Sequence, residues 1–264
     1  MAELRKVFAD TLARMMDQNT DVVYLEADLG GAIGTTRLFR EYPKQAFDLG
    51  IMEANMVGVG AGMSIKGKIP FMHSFGTFTS RRCADQTFIS GNYNKANIKL
   101  VGSDPGITAE ANGGTHMPFE DMGIYRSFPE MTILDVAEPY LLEQVLKQMA
   151  QQYGVMYIRF PRKEKEGIRV RVVDMFTVKP LDRELVIQCA KETGAIVTAE
   201  NHNMYGGLGS AVAEVVAEEA RVPFARVGVP DCFGEVGDKA FLAQKFGLTP
   251  EHIAEKVKKV IAEK

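Results

Sequence analysis

AFDLGIMEANMVGVGAGMSIKGKIPFMHSF, residues 46–75, carries the clearest signal of the fold class of this chain. A short apolar segment at 46–51 precedes a glycine-rich stretch with helical spacing over 53–65, and the apolar run at 69–75 has the composition of a strand. One carboxylate, Glu53, lies in the otherwise almost uncharged start of the helix. The pattern predicts a strand, a helix and a second strand, which is the unit from which parallel sheets are built.

The same alternation extends in both directions along the first 162 residues. The sequence predicts helices at 3–18, 80–92 and 139–154, and strands at 22–30, 98–104, 132–138 and 155–162. About six strands separated by helices predict an α/β fold with a doubly wound, mostly parallel sheet.

A second, smaller α/β domain is predicted after the charged segment KEKEG at 163–167, the best linker candidate. Its predicted strands are 170–176, 195–201 and 224–230, and its predicted helices are 183–194, 207–220 and the charged C-terminal segment. We therefore expect two domains, 1–165 and 166–264.

Composition excludes several function classes. The 264 residues are 46% hydrophobic and 25% charged with a net charge of −3, so the chain has no basic field for nucleic acid or an anionic membrane. Its three cysteines are far apart and show no CxxC spacing, so neither a disulfide framework nor a zinc site is predicted, and no other metal site is expected in this chain. The N-terminal segment resembles neither a secretory signal nor a membrane span, and a cytoplasmic protein is expected.

Two glycine-rich stretches are weak candidates for phosphate binding. GMSIKGKI at 62–69 has the glycines and lysine of a P-loop, but Ile69 stands where a hydroxyl residue is needed, and a helix C-cap is favoured. NHNMYGGLGSA at 201–211 misses the GxGxxG spacing, and a tight strand-to-helix turn is favoured, with His202 as a turn residue rather than a ligand.

Two other loops have stronger functional signals. Phe75 and Phe78 follow a predicted strand, where aromatic rings either belong to the core or stack against a heterocycle. The loop at 102–121 is too long and polar for an ordinary connection; His116 could move protons, and Asn112 and Asp104 could hold hydroxyl groups. A capped surface loop is the alternative.

Four motifs in order resemble the C-terminal half of transketolase, as encoded separately in split transketolases: DLGIMEANMVGVGAG, PFMHSFGTFTSRRCADQ, GSDPGITAEANGGTHMPFED and TAENHNMYGGLGSAVAEV. The resemblance spans nearly the whole chain. It implies a pyrimidine-binding domain of a thiamine diphosphate enzyme followed by the transketolase C-terminal domain.

The resemblance also implies roles for the candidate residues. Glu53 matches the glutamate that hydrogen-bonds ring nitrogen N1′ of the aminopyrimidine, and we expect it to be buried beside an apolar slot that lets it share a proton with the ring. Phe78, and less directly Phe75, match the aromatic positions on which that ring stacks. His116 matches the histidine beside the reacting carbons, so Glu53 and His116 are the expected catalytic residues.

The substrate positions match with mixed fidelity. Arg5, and either Arg162 or Arg159, match arginines that grip the phosphate end of the sugar. Asp104 stands near a position where the family has a histidine for that phosphate, and Asn112 stands where it has an aspartate for a hydroxyl group. Both substitutions put the donor substrate or its phosphate in question.

Two family features are missing from the chain. No segment resembles the GDG…N signature that holds the metal diphosphate, so the resemblance implies an N-terminal partner subunit carrying thiamine diphosphate with Mg or Ca, and a two-plus-two assembly. The connection between IRFPRK and VRVVDMF is shorter than in the family by on the order of 30 residues, one strand and helix.

The sequence thus predicts the C-terminal subunit of a transketolase that transfers a two-carbon ketol unit between sugar phosphates, as in the pentose phosphate pathway. The alternatives are a deoxyxylulose-phosphate synthase, a 2-oxo acid dehydrogenase beta-type subunit, and a non-catalytic scaffolding or regulatory subunit.

Overall fold

The computed structural model of the chain describes residues 3–162 and 173–263. The predicted linker at 163–167 and the first half of the strand predicted at 170–176 lie outside these ranges.

A seven-stranded sheet forms the centre of the first unit. Its strands, in the spatial order β2-β1-β3-β4-β6-β5-β7, pair in parallel except for β7, which pairs antiparallel with β5. β8 and β9 form a separate parallel pair. The strands are β1 (Val22–Glu26), β2 (Ala46–Asp48), β3 (Ile69–Phe75), β4 (Lys99–Ser103), β5 (Thr132–Asp135), β6 (Met156–Phe160), β7 (Thr177–Lys179), β8 (Ile196–Asn203) and β9 (Phe224–Val229). The predicted doubly wound, mostly parallel sheet is confirmed.

The α-helices are α1 (Leu4–Gln18), α2 (Gly30–Ile33), α3 (Leu38–Glu41), α4 (Glu53–Ile65), α5 (Gly76–Arg81), α6 (Ala84–Gln86), α7 (Asp121–Arg126), α8 (Pro139–Gln151), α9 (Arg183–Thr193), α10 (Leu208–Val215), α11 (Lys239–Lys245) and α12 (Pro250–Ala262). π-helical turns occur at Thr87–Tyr93 and Val216–Ala220, and a 3₁₀ segment spans Gly106–Asn112. Among the described residues, no helix is both long and apolar enough to cross a membrane.

Alternate side chains of the central strands pack into two different cores, because successive strand residues point to opposite faces. Phe71 and Val101 pack with α1 and α8 on one face. Met72 and Leu100 pack with α4 on the other. Gly60 of α4 allows a close approach to β3, since a Cβ there would lie 2.2 Å from Met72 Sδ. The sheet is therefore covered by helices on both faces, and its exposed functional edge is where the strands end.

Two predicted elements were wrong. The continuous helix predicted at 80–92 is α5, α6 and a π-helical turn, which places Arg81 and Arg82 at a break in the helix rather than on one face. Residues 173–176 are not a strand; the strand starts at Thr177, and it extends the first sheet instead of starting the second. By contrast, α4 ends as predicted in a C-cap, with Gly67 at φ +83°.

The second sheet and its helices have a small core of their own, built around Val186, Val212 and Val215. A further cluster joins this unit to the long loop after β4: Ile107 and Phe119 pack against Val229 and Phe246. The predicted tight turn before α10 is confirmed, because Gly206 has φ +78° and a Cβ there would lie 2.8 Å from Gly123 Cα. The long loop is thus held between the two units.

Candidate functional site

The predicted site residues come from three segments at the carboxyl edge of the parallel sheet. Glu53 is the first residue of α4, just after β2. Phe75 ends β3 and Phe78 lies in α5 immediately after it. His116 lies in the loop that follows β4. This edge is where α/β sheets bind ligands, because the loops after neighbouring strands converge there.

Phe75, Phe78 and His116 form an aromatic cluster. The two phenylalanine rings stack with centroids 6.1 Å apart, and the His116 ring meets them edge-on at 5.9 Å from Phe75 and 5.1 Å from Phe78. Phe75 is buried, whereas Phe78 and His116 are half-buried. The structure therefore brings His116 onto two phenylalanines from a different segment of the chain, and Phe78 and His116 are the members of the cluster that keep exposed surface.

Glu53 is buried beside this cluster, with 3% of its surface exposed. Its burial was predicted, but its expected apolar setting was not correct. Arg82 Nη1 donates to Glu53 Oε1 at 2.8 Å, and the Ser74 hydroxyl donates to the same oxygen at 3.4 Å. The Arg82 guanidinium also lies 3.9 Å from the centre of the Phe78 ring. A half-exposed cation therefore connects the buried carboxylate to the aromatic surface.

The sequence did not single out Arg82. The available signal was its position four residues after Phe78, which brings the two side chains onto one face if the chain is helical. Arg81 was missed as well: its guanidinium bonds the Thr115 carbonyl at 3.2 Å and the Glu120 carboxylate at 2.9 Å, and it contacts Thr77. Arg81 thus holds the loop on both sides of His116.

Asp104 and Arg162 form an ion pair on the other side of Phe75. Arg162 Nε donates to Asp104 Oδ1 at 2.7 Å, and its guanidinium carbon lies 5.9 Å from the Phe75 ring centre. Asp104 is 1% exposed and has φ +57°, a left-handed conformation that aspartate tolerates better than most residues. Burial raises the pKa of Asp104, and Arg162 opposes this effect. The ion pair therefore faces the aromatic cluster from the end of β4.

A buried polar network, which was not predicted from the sequence, supports Asp104 from inside the sheet. The Ser103 hydroxyl donates to Asp104 Oδ2 at 3.4 Å and lies 3.0 Å from His73 Nε2. His73 Nδ1 lies 2.9 Å from the Glu26 carboxylate, which also accepts a hydrogen bond from the Tyr24 hydroxyl. β1 and β3 pair in parallel with Glu26 opposite His73. The network therefore depends on the order of the strands in the sheet, which the sequence alone does not show.

Arg159 was predicted to contact substrate, and its position contradicts this. Its side chain has no exposed surface, and its guanidinium bonds Asp121 Oδ1 and Asp135 Oδ2, both at 2.9 Å, and the Asn201 carbonyl at 3.4 Å. A buried arginine with these partners cannot reach a sugar. Arg159 instead joins the first sheet to β8.

The remaining predicted residues lie at the margin of the site. The Arg5 side chain bonds Glu3 at 2.7 Å, and its backbone approaches the Arg162 carbonyl at 3.5 Å. Asn112 is exposed at the end of the 3₁₀ segment. His202 is not a turn residue: it lies within β8, fully buried, and burial lowers its pKa to about 4.

Comparison with known proteins matches both parts of the chain. Residues 1–166 match the transketolase pyrimidine-binding domain, and residues 162–253 match the transketolase C-terminal domain. The chain belongs to the transketolase family. Members of this family generally use thiamine diphosphate. By this membership the chain corresponds to the C-terminal subunit of a split transketolase.

Two relatives and one solved structure match this chain over nearly the whole length of both proteins. The chain is 40% identical to the 6-deoxy-6-sulfo-D-fructose transketolase subunit SqwH of Clostridium sp. (strain MSTE9), covering 95% of this chain and 92% of that protein. It is 30% identical to a putative transketolase C-terminal section of Methanocaldococcus jannaschii, covering 96% and 95%. A solved split gene transketolase, described as an inactive beta4 tetramer, superposes with a TM-score of 0.87 at 30% identity over 99% of both chains.

Proposed function

We propose that this chain is the pyrimidine-binding subunit of a thiamine diphosphate-dependent transketolase, which transfers a two-carbon ketol unit from a ketose to an aldose. The observation that carries the proposal is the buried carboxylate of Glu53 beside the Phe75, Phe78 and His116 cluster. A carboxylate and an aromatic face are the two groups that a protonatable heterocycle needs for orientation.

The residues of this chain fit one half of the cofactor. Glu53 offers an acceptor for a ring nitrogen, and Phe78 offers a face for stacking once Arg82 moves aside. The other half needs a metal site for the diphosphate, and within residues 3–162 and 173–263 no three His, Cys, Asp or Glu side chains are arranged to hold a metal ion. We therefore assign the diphosphate and its Mg or Ca to an N-terminal partner subunit, a proposal supported by the split gene neighbour and by the subunit name of the 40% identical relative.

Each side chain then has a defined task. When bound, the cofactor supplies the reactive carbon that adds to a ketose carbonyl and carries the two-carbon unit. Glu53 holds or releases a proton at its carboxylate, which lies beside the aromatic face. Phe75 and Phe78 fix the plane of the heterocycle. His116 lies over the same rings and exchanges protons with the hydroxyl groups of the sugar.

Reconstitution with an N-terminal transketolase subunit that carries the diphosphate site tests the proposal. We expect the mixture, and neither chain alone, to bind thiamine diphosphate by calorimetric titration and to transfer a ketol unit from a ketose to an aldose phosphate. Consumption of pyruvate in place of the ketose would identify a deoxyxylulose-phosphate synthase or a 2-oxo acid dehydrogenase subunit. A stable complex that binds no cofactor would identify a scaffolding subunit.

A further inference from the structure

The three arginines predicted to bind the phosphate end of the sugar are all paired with carboxylates of this chain. Arg159 is buried between Asp121 and Asp135 and is inaccessible. Arg5 is paired with Glu3, at 2.7 Å. Arg162 points towards Phe75, but Asp104 binds its Nε at 2.7 Å. The end of the site next to Phe75 therefore has a guanidinium whose charge is already balanced.

Burial and several hydrogen bonds fix the position of Asp104, the partner of Arg162. It is 1% exposed, its second oxygen accepts from Ser103, and its backbone N–H donates to the Phe160 carbonyl at 3.3 Å. Ser103 is in turn fixed by His73 and the Glu26 carboxylate behind it. Because these groups are fully buried, the carboxylate cannot turn away from an incoming ligand.

The charge balance has a consequence for the ligand. A ligand can reach the pair through the Arg162 side chain, which is 31% exposed and can bind a singly charged anion or a hydroxyl oxygen, whereas the Asp104 side chain is 2% exposed and acts through its charge. For a dianion, the attraction to Arg162 and the repulsion from Asp104 both double, and they largely offset each other, so the pair offers little net attraction. The cost of removing the ligand from water rises roughly with the square of its charge, so the balanced pair compensates a dianion less well than a singly charged group.

We propose that Asp104 is a specificity-determining residue that, with Arg162, selects a sugar whose far end is uncharged or singly charged over one that ends in a phosphate dianion. This inference rests on the proposed function, because it concerns the substrate of the same site.

The test uses the reconstituted enzyme and three ketoses of one carbon skeleton, ending in a hydroxymethyl group, a sulfonate and a phosphate. For the unmodified enzyme we expect kcat/KM for the phosphate to be at least tenfold below the better of the other two. Asp104→Asn keeps the shape and tolerates positive φ, so it should fold; it should improve kcat/KM for the phosphate at least tenfold, through KM rather than kcat. Asp231→Asn, at an exposed position, is the matched control and should change nothing.

A preference of the unmodified enzyme for the phosphate, or an unchanged ranking in Asp104→Asn, would overturn the inference. The proposed function fails separately, if no ketose is turned over by any variant. In that event, titration of the chain with inorganic phosphate decides: Asp104→Asn should bind it at least tenfold more tightly than the unmodified chain, and equal affinities would refute the role of Asp104.

Discussion

Arg82 Nη1 lies 2.8 Å from Glu53 Oε1, and this ion pair joins a side chain that is 47% exposed to one that is 3% exposed. The pair keeps the carboxylate from being buried without a partner, which would be costly. It also places a planar cation on the Phe78 face. The ionised glutamate is thus stabilised in a site whose remaining surface is aromatic.

Removal of the Arg82 cation should destabilise the chain through Glu53. We expect Arg82→Met to lower the free energy of unfolding by about 1–2 kcal/mol, less than for a fully buried pair because Arg82 is half exposed. The loss should largely disappear when Glu53 is also changed to Gln, a coupling that a double-mutant cycle in urea measures. Arg40→Met, on an exposed face of α3, is the control. Equal losses with and without Glu53 would show that the ion pair has no role.

Substitution of Arg159 should affect mainly stability, whereas substitution of Arg162 should also affect substrate binding. Arg159→Met leaves Asp121 buried without its cation and should cost about 3–5 kcal/mol of unfolding free energy. Arg162→Met should cost only about 1–2 kcal/mol, because Arg162 is half exposed although its partner Asp104 is buried, and it should raise KM for an anionic sugar in the reconstituted enzyme, since Arg162 faces Phe75. Urea unfolding and steady-state kinetics separate the two effects. A stable Arg159→Met protein with a raised KM would show instead that Arg159 contacts the substrate.

His202 and Glu200 should give opposite pH dependences of stability. Burial lowers the pKa of His202 to about 4, so the unfolded chain binds its proton more readily, and this term raises the unfolding free energy between about pH 4 and 6.5. Burial raises the pKa of Glu200 to about 7, opposed by the backbone N–H groups of Gly209 and Leu208, so this term lowers the unfolding free energy between about pH 4.5 and 7. Each term amounts to about 3 kcal/mol at most.

The two terms nearly cancel, so single variants should reveal them. Glu200→Gln should become more stable as pH rises from 4.5 to 6.5, and His202→Gln should become less stable over the same range. Urea unfolding at half-unit pH steps measures both slopes. Parallel pH profiles for the two variants would contradict the assignment.

Arg81 should control the loop that carries His116. Arg81→Met removes the contacts to Thr115 and Glu120, and we expect faster backbone hydrogen exchange at 113–118. In the reconstituted enzyme kcat should fall on the order of tenfold with unchanged cofactor affinity, because His116 loses its fixed position while Glu53 and Phe78 keep theirs. Unchanged exchange in the loop would show that other contacts, such as the Phe119 cluster, fix it.

The regular elements were predictable from sequence because local periodicity determines them. The helix at 53–65 and the strand at 69–75 were predicted with their observed bounds. The helix at 80–92 was not, since its break at Arg82 and Cys83 follows from the ion pair with Glu53 and the packing of buried Cys83, which no local pattern contains.

The site was predictable to the extent that single residues carry its chemistry. Glu53, Phe75, Phe78 and His116 were found and are close together. Partners were not found, because pairing depends on strand order: Arg159 meets Asp121 and Asp135 only when β6 lies between β4 and β5, and His73 meets Glu26 only when β3 lies beside β1. Each arginine predicted to bind substrate is thus paired with a carboxylate that was not identified from the sequence as its partner.

Ketol transfer by the Glu53→Gln variant shows whether the reaction needs a proton on the Glu53 carboxylate. In the reconstituted enzyme saturated with thiamine diphosphate, Gln keeps the shape of the side chain but cannot exchange a proton, so we predict a loss of at least 100-fold in kcat. Glu255→Gln, an exposed substitution on α12, should retain full activity. A Glu53→Gln enzyme within a few-fold of the unmodified rate would contradict the account.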